Sequence, residues 1–148
     1  NKKLFGDMER NYFITVTLAM IDTEKKKIQL CRAGHPSTLL FSENGFERIK
    51  SAGIGLGLDK GEVFDSSLEE VVREIKKGML LAIYSDGISE AMNERQEEFG
   101  EESLVGALQK NIAGSGASIQ SKILDEVNIF CGGAEQHDDI TLLLVKFL

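Results

Sequence analysis

Residues 12–21 alternate as a strand does. Tyr12, Ile14, Val16, Leu18 and Met20 share one face, and Phe13, Thr15, Thr17 and Ala19 share the other. The β-branched and aromatic content suits a pleated surface. The polar stretch 22–27 reads as a turn and 28–33 resumes as a strand, so the two predict a hairpin. A third short strand is expected over 37–41, and Asn44-Gly45 marks the turn after it. Glycines crowd 51–58, which predicts a loop.

Two runs are apolar without alternation, 79–84 (Met-Leu-Leu-Ala-Ile-Tyr) and 140–145 (Ile-Thr-Leu-Leu-Leu-Val). Both read as strands buried on both faces. Between them two helices are expected. Leu104, Val105, Leu108 and Ile112 recur at helical spacing behind Glu101 and Glu102, acids that suit a helix N-terminus. After Gly114-Ser115-Gly116, a second stripe of Ile119, Ile123, Val127 and Phe130 ends at Gly132-Gly133. Segment 67–76 points two ways. Leu68, Val71, Val72 and Ile75 have helical spacing, with Ser66 or Ser67 as a cap. Antiparallel strands with helices inserted late amount to an α+β fold rather than alternating β-α-β units.

Composition narrows the function classes. The 148 residues are one ordinary domain in size. With 42% apolar and 28% charged residues, the chain is globular and not disordered. Seventeen basic against 24 acidic residues leave a net charge of −7. That disfavours a nucleic-acid surface, which needs a clustered positive field. No apolar run is long enough to span a bilayer, so no membrane contact is expected from this segment. Cys31 and Cys131 form no CxxC and no Cys/His cluster, so zinc is not expected, and buried free thiols of a cytoplasmic protein are. The chain opens Asn1-Lys2-Lys3 without Met or a signal peptide, which reads as part of something longer.

The candidate chemistry lies at the ends of the two apolar runs. Tyr84-Ser85-Asp86-Gly87 puts a carboxylate at the end of a buried strand. A rigid strand end fixes an acid in place, and oxygen donors suit a hard cation. An Asp-Gly pair there is also a plain turn. His137-Asp138-Asp139-Ile140-Thr141 sets two acids directly before the second run. Two like charges ~4 Å apart at an effective dielectric of ~20 repel by about 4 kcal/mol, which a divalent ion would reverse. The alternative is that Asp139 turns the chain and Asp138 faces water. Arg32-Ala33-Gly34-His35-Pro36 breaks a strand pair and places one more histidine. No Ser-His-Asp order is present, and the glycine-rich 52–57 lacks the Gly-Lys-Ser/Thr ending of a phosphate loop.

Taken together, these motifs resemble the C-terminal part of the bacterial PPM-type serine/threonine phosphatases of the SpoIIE and RsbU kind. The matching segments are Asn1-Lys2-Lys3-Leu4, Tyr12-Phe13-Ile14-Thr15-Val16, Asp22, Ala33-Gly34-His35-Pro36, Gly55-Leu56-Gly57, Gly78 through Ala91 and Asp138-Asp139-Ile140-Thr141. They span essentially the whole chain. The resemblance implies an antiparallel β-sandwich flanked by helices, here N-terminally truncated, and favours a strand over 67–76. It implies hydrolysis of phosphoserine or phosphothreonine with two or more Mn²⁺ or Mg²⁺ ions. Water activated on the metal is the attacking group, so no protein nucleophile is required.

By the same resemblance, Asp86 and Asp138 are metal ligands, and Asp139, Gly87, Thr141 and His35 are supporting residues around them. The family's other acid motifs lie upstream. Gly6-Asp7 is no substitute, because no second acid follows at the right distance. A single incomplete domain over 1–148 is therefore expected, nearly inactive alone, with exposed sheet edges that invite dimerisation. The implied partner is a phosphorylated regulatory protein, a STAS-type anti-anti-sigma factor, in bacterial signalling. A degenerate module that only binds such a partner is the alternative, and an ion with a purely structural purpose is a third.

Overall fold

The computed structural model describes residues 1–9 and 11–148. In chain order the elements begin α1 (Lys2–Asp7), β1 (Val16–Asp22), β2 (Lys27–Ala33), β3 (Thr38–Ser42), β4 (Gly45–Ile49) and α2 (Glu62–Ser67). They continue β5 (Glu70–Glu74), β6 (Leu80–Tyr84), α3 (Asp86–Ser89), α4 (Gly100–Asn111), α5 (Gly116–Cys131) and β7 (Leu142–Lys146). The chain forms two units, Asn1–Thr38 with Arg48–Lys76, and Leu39–Glu47 with Lys77–Leu148.

The first unit holds a three-stranded antiparallel sheet in the order β1-β2-β5. The hairpin forms as expected, from Val16 opposite Ala33 to Asp22 opposite Lys27. Asp22 fixes its turn by accepting the N–H groups of Glu24 and Lys25 at 3.1 and 2.8 Å. The strand is shorter than its alternating pattern. Ile14 joins only through an isolated bridge to Leu56, and Tyr12 lies outside it.

Within segment 67–76, Glu70–Glu74 form strand β5, paired to β2 so that Val71 faces Leu30. The helical spacing lost to tertiary pairing, the usual outcome for a short β-branched segment beside a strand in need of a partner. Ser67 does not start a helix. It ends α2, where its hydroxyl donates to the Phe64 carbonyl at 2.9 Å. The α2 start, not anticipated, is held by Asp59, whose Oδ1 accepts from Gly61, Val63 and Phe64 at 2.8, 3.0 and 3.0 Å. Asp59 before Gly61, an acid of the kind that accepts backbone N–H groups in a turn, was the available signal.

The second unit holds a four-stranded antiparallel sheet in the order β4-β3-β6-β7. Its residues Leu39, Phe41, Leu80, Ala82, Tyr84 and Leu142 form one buried cluster with Leu104, Leu108, Ile119, Ile123 and Val127 of α4 and α5. Both helical stripes are thus core faces. Ser115 caps α5 by accepting from the Ser118 N–H at 3.3 Å, and Gly132 closes it with φ +60°. β6 is buried on both faces, since Leu81 is as covered as Leu80 and Ala82. β7 is not, because it ends the strand order and Leu143 is 54% exposed. β4, absent from the expected elements, follows the Asn44-Gly45 turn, with Gly45 at φ +112°.

Candidate metal centre

β6 and β7 are antiparallel neighbours, with Tyr84 opposite Leu142. The chain leaving β6 at Ser85 therefore runs beside the chain entering β7 at Thr141. That pairing brings the two acid motifs together. The Ser85 N–H donates to the Thr141 carbonyl at 3.0 Å. The Ser85 hydroxyl donates to the Asp139 carbonyl at 2.9 Å and accepts the Thr141 N–H at 2.9 Å. On the other side of Asp86, Gly87 lies flat against the same segment. A Cβ there would stand 2.5 Å from the Asp139 carbonyl oxygen and 3.4 Å from that of Asp138. Only glycine permits that approach to fixed backbone.

Asp86 opens α3, a single turn anchored by the fully buried Ile88. Its Oδ1 accepts the Gly87 N–H at 3.1 Å and its carbonyl accepts the Glu90 N–H at 2.8 Å. Asp138 is exposed, with Oδ1 accepting the Asp139 N–H at 2.7 Å and its carbonyl held by the Gln136 amide at 2.7 Å. Asp139 is exposed too, so the acid pair escapes much of the repulsion that a buried pair would carry. The backbone of Asp139 is what the site uses. Thr141 likewise acts through its backbone N–H and carbonyl.

A cavity of about 420 Å³ opens beside this pair, lined by Gly87, Glu90, Met92, Asn128, Cys131 and Asp138 among others. The C-terminal end of α5 forms one wall. Its residues lie just upstream of the second acid motif, and no motif marked them. Cys131 there and Cys31 in β2 are free and half-buried, not fully buried as expected.

His35 sits in the first unit, where its Nδ1 and the Thr15 hydroxyl are 3.1 Å apart. Arg32 donates to the His35 carbonyl at 2.7 Å and to the Ser51 carbonyl at 2.8 Å. The glycine-rich loop packs on this corner. A Cβ at Gly53 would fall 1.9 Å from the Arg32 carbonyl oxygen. Gly53 thus serves backbone packing, whereas a Cβ at Gly55 would meet the Phe13 side chain at 2.9 Å.

The donor set is all hard oxygen. Among the described residues no group of three or more His, Cys, Asp or Glu converges. Asp86 and Asp138 could supply two carboxylates, which is fewer than a cage. That fits Mg²⁺-like ions, which keep several waters and take one or two carboxylates plus substrate phosphate. Neither carboxylate is spent on a salt bridge among the described residues.

The two antiparallel sheets and their helices define a PP2C-type phosphatase fold. The SiaA-PP2C domain of Pseudomonas aeruginosa superposes with a TM-score of 0.77 at 18% identity, over 90% of this chain and 51% of that one. The manganese-presoaked phosphatase domain of SpoIIE from Bacillus subtilis gives 0.65 at 20% identity, over 90% and 56%. The chain belongs to the SpoIIE family: the model of Stage II sporulation protein E matches residues 1–148. Protein IcfG of Synechocystis sp. is 29% identical over 145 residues, covering 95% of this chain and 21% of that protein. Phosphoserine phosphatase RsbU of Bacillus subtilis is 23% identical over 149 residues, covering 99% and 42%. The chain thus spans less than half the length of either curated relative. Among the described residues no helix is long and apolar enough to cross a membrane.

Proposed function

We propose that this chain is the C-terminal, metal-ligating part of the phosphatase domain of a phosphoserine or phosphothreonine protein phosphatase that depends on Mn²⁺ or Mg²⁺. The carrying observation is the docking of Ser85-Asp86-Gly87 onto Asp138-Asp139-Ile140-Thr141 at the paired ends of β6 and β7. Family membership and the phosphoserine phosphatase RsbU among the relatives supply the reaction class. Asp86 and Asp138 would hold the ions, with Gly87, Asp139 and Thr141 supporting them. When bound, such ions lower the pKa of water and neutralise charge on a transferring phosphoryl group. The chain's own contribution is to fix two carboxylates on a rigid strand pair and to leave room beside them for substrate. Two donors are fewer than a two-ion centre takes, so these 148 residues alone should hydrolyse far more slowly than the longer protein.

The family resemblance extends the reading to a phosphorylated STAS-type anti-anti-sigma protein as substrate, in the cytoplasm, with His35 ordering the rim. β1 ends its sheet with Leu18 and Met20 exposed, which supports self-association through that face. The test is hydrolysis of a phosphoserine protein or a generic phosphate ester by the intact protein with and without Mn²⁺. Asp86→Asn and Asp138→Asn should each cost ~100-fold or more in kcat, since such an ion is worth several kcal/mol of transition-state stabilisation. Mn²⁺-independent silence of the intact protein would favour the non-catalytic binding module. Loss of stability without loss of activity would mark a structural ion.

A further inference from the structure

We infer that the Ser85 hydroxyl is a positioning residue: it clasps the two acid motifs together and so sets their readiness to take a metal ion. The inference rests on the metal-dependent reading above. Ser85 itself contacts neither substrate nor ion. It acts through Asp86, its neighbour, and through the segment that carries Asp138.

The geometry assigns the role. A strand-end serine facing water ordinarily finds a solvent partner. Here the one hydroxyl both donates to the Asp139 carbonyl and accepts from the Thr141 N–H, each at 2.9 Å. It thereby bridges two backbone groups that flank Ile140, on the far side of a sequence gap of more than fifty residues. The regular β6–β7 ladder stops at Tyr84 and Leu142. Beyond that point, the Ser85 N–H to Thr141 bond continues the pairing by one step, and the hydroxyl extends it to Asp139.

Asp138 needs that extension. It lies in an exposed, irregular stretch, bonded to Asp139 and Gln136 within the same loop. Asp86, by contrast, is fixed by α3 and the buried Ile88. One ligand is rigid and the other rides on a loop, so the clasp decides how often both are in register. Groups that orient metal ligands without touching the metal typically change affinity 10- to 100-fold when removed.

The experiment compares wild type, Ser85→Ala and Ser85→Thr in the intact protein. Mn²⁺ binding is read by electron paramagnetic resonance of free Mn²⁺, alongside kcat at saturating Mn²⁺ and the melting temperature without metal. Ser85→Ala should raise the Mn²⁺ half-saturation about 10-fold, with the metal-free melting temperature moving by only a few degrees. Ser85→Thr keeps the hydroxyl and should stay within about twofold of wild type. Should Ser85→Ala fail to fold, Ser85→Cys, with a weaker donor of similar size, is read in its place and should be intermediate.

Mn²⁺ binding by Ser85→Ala equal to that of an active wild type would overturn the clasp and leave the phosphatase reading standing. An equal loss of affinity in Ser85→Thr would also overturn it, because the hydroxyl would then not be the cause. A wild type that binds Mn²⁺ but hydrolyses nothing would sink the phosphatase reading, while the binding shift still decides the clasp. A wild type that binds no Mn²⁺ would overturn both.

Discussion

Strands β6 and β1 are both rich in apolar side chains, yet one is sealed and the other is open. In β6, Leu80, Leu81, Ala82 and Tyr84 are 2% exposed or less. In β1, Leu18 is 66% and Met20 56% exposed. The difference lies in their neighbours. β6 is hydrogen-bonded on both sides, to β3 and β7, and its unit brings α4 and α5 onto the cluster that includes Leu80, Ala82 and Tyr84. Among the described residues β1 ends the order β1-β2-β5, and its Leu18 stands opposite Cys31, which is itself half-buried. Apolar content therefore makes a strand, but burial depends on helices far away in sequence. The candidate site grows from the sealed strand. Asp86 follows Tyr84 by two residues, and Tyr84 is locked by its cover and by a hydroxyl bond to Glu101 at the start of α4.

The largest effect that tests this contrast is in the sealed unit. Leu108 of α4 is fully buried in the cluster shared with β3, β6 and α5. Leu108→Ala removes three carbons and leaves a cavity, which costs ~2–5 kcal/mol in well-packed cores. Urea unfolding of the intact protein should show the drop. A cost below about 1 kcal/mol, the level of ordinary substitutions, would mean that α4 does not hold the sheet and that β6 owes its rigidity to something else.

A smaller effect belongs to the other unit and depends on pH. Asp59 collects the first N–H groups of α2, and those bonds, with Phe64 first and Gly61 next, hold its carboxyl below the ordinary carboxylate value. A depressed folded pKa gives stability that is present above the unfolded value of 3.8 and lost as pH falls through the lower folded one. Asp59→Asn should therefore melt below wild type near neutral pH, and the gap should close as the solution is acidified through that window. A gap that stays constant with pH would show that the charge does not cap the helix.

What was legible in the sequence follows the same division. The continuous run 79–84 and the stripes at Leu104–Leu108 and Ile119–Val127 announced a core, because each pattern is long and has one reading. The acid motifs were legible because each sits at the end of such a run, and antiparallel pairing of the two runs then brings them together. The cavity wall at Asn128 and Cys131 was not, since an α5 stripe says which face is buried and nothing of what the next turn lines. The role of Ser85 is hidden for the opposite reason. It stood inside the motif, but its partners are backbone atoms, and backbone atoms leave no trace in the pattern of residue types. The helical spacing of 67–76 failed because a five-residue strand is decided by β2 beside it. His35 lies in the first unit, where its ring meets the Thr15 hydroxyl and its carbonyl accepts from Arg32, contacts that its motif did not reveal.

The smallest effect is the sharpest check on the open strand. Leu18 and Met20 share one face of β1, and Val72 of β5 on the same sheet face is 44% exposed. Leu18→Ser with Met20→Ser removes apolar surface that the fold does not bury, so the urea midpoint should move by no more than about 0.5 kcal/mol in equivalent stability. The same double variant should weaken self-association, read as a shift to smaller species in sedimentation velocity at equal concentration, because hydrophobic area exposed on an edge strand is what a second copy would cover. If unfolding is instead destabilised as strongly as by Leu108→Ala while sedimentation stays unchanged, the face is buried within the intact protein itself. The contrast between β6 and β1 would then be one of which segment covers each strand, with both sealed.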